Sequence, residues 1–91
     1  MIIEFSDYIL YPYPDYLDHD PLVDLVFVVK ESESRRFVEI IEADYHTDFG
    51  FVSLDITKIP IMEQSRLVGL ANDRYEEILE REKHRSPRER E

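Results

Sequence analysis

Apolar and polar positions alternate along the first 57 residues and then change period. Val23-Asp24-Leu25-Val26-Phe27-Val28-Val29 is β-branched and apolar. Alternation puts Val23, Leu25, Phe27 and Val29 on one face and Val26 and Val28 on the other. Apolar side chains on both faces predict an inner strand with both sides covered. Lys30 to Arg35 reads as a polar turn, and Arg36 to Tyr45 as the returning strand of a hairpin. His46-Thr47-Asp48-Phe49-Gly50 is a second turn, with Gly50 free to take positive φ. Phe51 to Thr57 then alternates, placing Val52, Leu54 and Ile56 on one face. Ile2 to Leu10 predicts a fourth, less regular strand, the natural place for a bulge. Tyr11-Pro12-Tyr13-Pro14 is too rich in proline for an inner strand and predicts an extended, exposed connection.

After Ile59-Pro60 the spacing becomes helical. Met62, Leu67, Leu70, Ala71, Tyr75, Ile78 and Leu79 fall near i, i+3, i+4, with Glu and Arg between them. Gly69, mid-helix, costs about 1 kcal/mol against alanine, and close approach to a sheet would explain it. From Lys83 on no residue is apolar. The fold expected is α+β: a four-stranded antiparallel meander with one long C-terminal helix packed on one face. The organisation expected is one domain over residues 1–83, with an acidic sheet region at 1–57 and a helix at 60–83. A flexible charged tail is expected over residues 84–91.

The chain has 91 residues, 43% hydrophobic, enough for one small core. Such a core leaves little stability to spare, so dimerisation or partner binding would supplement it. Cysteine is absent, which rules out disulfides, thiolate metal sites and cysteine nucleophiles. No apolar run approaches the roughly 18 residues of a spanning helix, and MIIEFSD lacks the basic start of a signal peptide. The expected location is the cytoplasm, of a bacterium or of an infected host.

Charge changes the picture most. The net charge is −10. Residues 1–57 hold thirteen acids against three bases (Lys30, Arg35, Arg36), whereas residues 58–91 hold eight of each. The whole excess therefore belongs to the sheet region. This disfavours direct binding of nucleic acid, whose affinity rests on Lys and Arg neutralising phosphates. It equally disfavours an anionic membrane surface. A basic protein partner is what such a field attracts.

Two stretches mix Asp, Tyr and His: Asp15-Tyr16-Leu17-Asp18-His19-Asp20 and Asp44-Tyr45-His46-Thr47-Asp48. His19 and His46 with nearby carboxylates have the donor chemistry of a zinc, manganese or iron site. No histidines sit at helix spacing, however, and DYLDHD lacks the glycine and distal glutamate of an EF-hand loop. There is no G-x-S-x-G elbow, and two glycines cannot build a phosphate-cradling loop. An enzyme, a metal site and a cofactor are accordingly not expected. Tyrosines interleaved with acids, in contrast, are what an interface uses as anchors. The expected partner-binding residues are Tyr11, Tyr13, Asp15, Tyr16, Asp18, Asp20, Asp44 and Asp48.

In size, acidity and lack of a catalytic motif the chain resembles small accessory proteins of phages and mobile elements. These include anti-restriction, anti-CRISPR and host-polymerase inhibitors. The likeness is one of composition and transfers no residue roles. It implies a protein-binding inhibitor that blocks a nucleic-acid-binding enzyme by presenting a DNA-mimicking negative surface. Immunity proteins that neutralise a basic toxin share the same features. A small structural subunit that docks through its helix is a third reading.

Overall fold

Strand β2 (Val23–Ser32) lies between β1 (Ile2–Asp7) and β3 (Arg35–Thr47), and β4 (Gly50–Ser53) pairs with the end of β3. Neighbours are antiparallel and the strand order is β1-β2-β3-β4. One helix, α1 (Ile61–Glu89), packs on one face of this meander, so the chain is two-layered α+β. The computed structural model describes residues 1–82 in full and only the backbone from there to Glu89. The side chains of the charged tail expected over residues 84–91 lie outside the described residues.

The core forms where the alternation of β2 meets the helical stripe of α1. Val23, Leu25, Phe27 and Val29 are buried towards Leu67, Ala71 and Tyr75, with Ile3, Ile40, Ala43 and Tyr45 from the flanking strands. Phe5 stacks on Phe27 at 5.1 Å between ring centroids. Val26 and Val28 are only half-buried. The inner position of β2 is therefore correct, but the burial on both faces expected from these valines is only partial. The sheet face away from the helix is open.

The strands differ from the periodicity in ways with local causes. β1 ends at Asp7, whose carboxylate accepts the Tyr8 amide at 2.8 Å. Such short side-chain bonds compete with the ladder. The irregularity expected in β1 sits instead in β3. Val26 faces Glu42 and Phe27 faces Ile40, so Ile41 is an extra residue. That bulge lets Val38 and Ile40 before it, and Ala43 and Tyr45 after it, all turn towards the helix. The β2–β3 turn tightens to Glu33-Ser34, because strand pairing continues to Ser32 and Arg35. β4 stops at Ser53, since Asp55 Oδ1 accepts both the amide and the hydroxyl of Thr57 and caps a 3-10 turn over Ile56–Lys58. Val52, Leu54 and Ile56 nevertheless pack against the core as their alternation predicts.

Arginines sew the helix to the sheet. Arg36 of β3 donates to Glu31, Asn72 and Glu76, and its guanidinium lies 4.7 Å above the Tyr75 ring. Arg66 of α1 reaches Glu63, Asp7 and the Tyr8 carbonyl. Arg74 covers the Phe5 ring at 5.4 Å. Two helix expectations fail: Met62 is 86% exposed, and Gly69 faces open space rather than the sheet.

The face assignment is testable by contrast. Phe27→Ala should cost about 3–5 kcal/mol through a core cavity, measured by denaturant unfolding. Val28→Ala, on the open face of the same strand, should cost less than about 1.5 kcal/mol. Equal costs would mean the outer face is covered.

Candidate functional site

Antiparallel order brings the β1–β2 connection and the β3–β4 turn to the same end of the sheet. The two Asp/Tyr/His stretches therefore share one end of the molecule, although they are far apart in sequence. The connection, residues 8–22, is held by its aromatics. Tyr13 packs edge-on to buried Tyr45 at 6.0 Å and against Tyr11 at 5.2 Å. The Tyr13 hydroxyl donates to the Ile9 carbonyl at 3.2 Å, and the Tyr11 hydroxyl accepts the Asp55 amide at 3.0 Å. Both rings are half-buried. Burial first, and then the nearby Asp20 charge, pushes the Tyr13 phenol up to about 12. Burial likewise raises Tyr45.

With Ile9 buried and Leu17 packed against the core as well, the loop holds out its acids. Tyr16 is 74% exposed while its hydroxyl hydrogen-bonds with that of Tyr45, and its chain neighbours Asp15, Asp18, His19 and Asp20 are exposed. The facing turn is fixed by Thr47, whose hydroxyl donates to the Gly50 carbonyl and accepts the Phe49 amide. Gly50 sits at φ 118°, a conformation that side chains rarely adopt. Phe49 at its tip is fully exposed beside Asp48.

The acidic surface continues from this end onto the open sheet face. Cross-strand pairs share a face. Ser6, Asp24, Asp44 and Ser53 make the first row from the acidic end, Glu4, Val26 and Glu42 the second, and Ile2, Val28 and Glu39 the third. Rows on one face recur at about 6.6 Å. Glu4, Asp24, Glu42 and Asp44 line a shallow open depression between β1 and β3. Asp24 and Asp44 lie directly opposite each other. Asp24 takes the Ser6 hydroxyl at 2.6 Å and lies 3.4 Å from His46 Nε2, whereas Asp44 Oδ1 is buried without a hydrogen-bond partner.

Of the residues expected to bind a partner, Asp15, Tyr16, Asp18, Asp20 and Asp48 lie exposed around the acidic end. Asp44 is half-buried on the adjoining face. Tyr11 and Tyr13 hold the loop in place. Sequence reasoning missed Glu4, Asp24, Glu39 and Glu42. The alternation of β1 and β2 could have found the first two, but the last two depend on the bulge. It also missed Phe49 and Phe51, the latter stacked on His46 at 4.0 Å. No group of three or more His, Asp or Glu among the described residues is placed to hold a metal. His46 is engaged with Asp24 and Phe51. None of the described helices is long and apolar enough to cross a membrane. No protein-family model, curated protein or solved structure matches the chain.

The anchoring role of Tyr13 has an alkaline signature. An unfolded tyrosine ionises near 10.0 and the folded one near 12. The stabilisation that keeps the proton is therefore complete below about pH 10 and is lost as pH rises towards 12. Unfolding midpoints at about pH 9 and about pH 11 should drop more for wild type than for Tyr13→Phe. Equal drops would remove Tyr13 as the loop's titrating anchor.

Proposed function

We propose that the chain is a non-enzymatic binding protein that presents a nucleic-acid-like anionic surface to a basic, nucleic-acid-binding protein and thereby blocks it. One observation carries this reading: the cations and the acids occupy different places. Arg36, Arg66 and Arg74 are held on the helix side, and Lys30 and Arg35, which share the open face with Glu39, lie at the opposite, β2–β3 end of the sheet. Asp15, Asp18, Asp20 and Asp48 at the acidic end, with Glu4, Glu42 and Asp44 beside them, have no cationic partner among the described residues. Rows of carboxylates about 6.6 Å apart imitate the regular, dense charge of a phosphate backbone. Tyr16, Phe49 and Phe51, at 74%, 100% and 67% exposure, stand among these acids as aromatic anchors.

The division of labour sets the expected kinetics. Exposed carboxylates steer encounter, so replacing Asp15, Asp18, Asp20, Asp44 and Asp48 by Asn should mainly slow association. Tyr16→Ala or Phe49→Ala should mainly speed dissociation, because an aromatic anchor acts in the docked complex. Capture from a native lysate followed by mass spectrometry would supply the partner. Binding should weaken as salt rises, since exposed charges are screened over about 8–10 Å near physiological ionic strength. A short DNA duplex should compete with the chain for that partner. A partner that ignores salt, the Asn substitutions and the DNA competitor would refute the proposal.

A further inference from the structure

We infer that the open edge of β3 pairs with the same edge of a second copy of this chain. β4 covers only Asp44–Thr47, and Leu54 donates to the Ala43 carbonyl just before it. From Arg35 to Ile41, alternate backbone N–H and C=O groups on that side of β3 have no strand beside them among the described residues. Such an edge is a template for another strand. Two of the usual protections are missing or remote here: the stretch holds no proline, and its bulge comes only at the far end, at Ile41. Phe37 and Ile41 lie along it, 56% and 47% exposed.

Charge selects the occupant. At net −10 the chain repels its own copies over most of its surface. Within the sheet region, residues 1–57, the exception is 30–42, which holds three bases against four acids, and those bases are the only ones there. The other sheet edge, β1, carries Glu4 and Asp7 and no base, so two copies meeting there would oppose carboxylates. On β3, Arg35 and Glu39 are exposed on one face, two residues either side of Phe37, and neither has an ion pair among the described residues. Antiparallel pairing centred on Phe37 sets each Arg35 opposite Glu39 of the second copy and the two Phe37 rings opposite each other. The two sheets become one of eight strands. The acidic ends point in opposite directions, so the strongest repulsion is kept apart. This inference stands whether or not the surface binds a basic partner.

The full chain should be followed by sedimentation equilibrium between about 1 and about 100 µM, where dimer formation is governed by mass action. Wild type should approach twice the chain mass at the upper end. Arg35→Glu or Glu39→Arg alone places like charges opposite each other at both symmetric positions, and each should weaken the dimer about tenfold or more. The double variant R35E/E39R exchanges the charges and should restore it, which separates a broken interface from a damaged fold. Circular dichroism should show all three variants folded. A wild type that stays monomeric throughout, a dimer indifferent to both single changes, or a double variant that stays monomeric would each overturn the inference.

Discussion

One extra residue in β3 governs what the sheet can do. In a strand, successive side chains point to opposite faces, so parity decides burial. Without Ile41 as a bulge, Val38 and Ile40 could not share a face with Ala43 and Tyr45. Tyr45 is among the largest fully buried side chains and is the ring on which Tyr13 rests. The bulge thus links the core under α1 to the anchoring of the long β1–β2 connection. It also decides that Glu39, Glu42 and Asp44 emerge on the open face rather than under the helix.

A second consequence concerns where cations are held. A small sheet with one helix has few ways to fix the helix angle, because its core is narrow. Arg36 and Arg66 add hydrogen-bonded ion pairs at the two margins, each joining residues remote in sequence. Their carboxylate partners keep them fully charged, and Glu63 beside Arg66 is held below the usual carboxylate range. Pairs this exposed contribute only modestly to stability, yet they hold these two guanidiniums on the helix side and away from the acidic end. The end that carries the β1–β2 connection is acidic as much because of this placement as because of the number of acids.

The layers of the fold were legible because β2 and α1 carry strong, different periods. Leu25, Phe27, Leu67 and Ala71 fall where their spacing puts them. Element ends were less legible, because Asp7 and Asp55 bond their own neighbours and stop the strands early, and alternation does not register that competition. The valines at 26 and 28 read as doubly buried because apolar composition does not tell a covered face from an open one. At the site, the loop acids were visible as composition. The roles of Tyr11 and Tyr13 were not, since a tyrosine in a proline-rich loop reads the same whether it packs inward or outward. The acids on the sheet face required the register of β3, which no local pattern reveals.

Asp24 and Asp44 face each other across neighbouring strands, and one oxygen of Asp44 is shut off from water with nothing to bond. Like charges in that arrangement oppose the pairing of β2 with β3. The folded chain therefore holds an interaction that works against its own sheet, at a place where a neutral pair would be more comfortable. Amide replacements there should make a sturdier protein, so selection for stability alone would be expected to remove the acids. Their presence makes this row a place where the sheet works against its own stability.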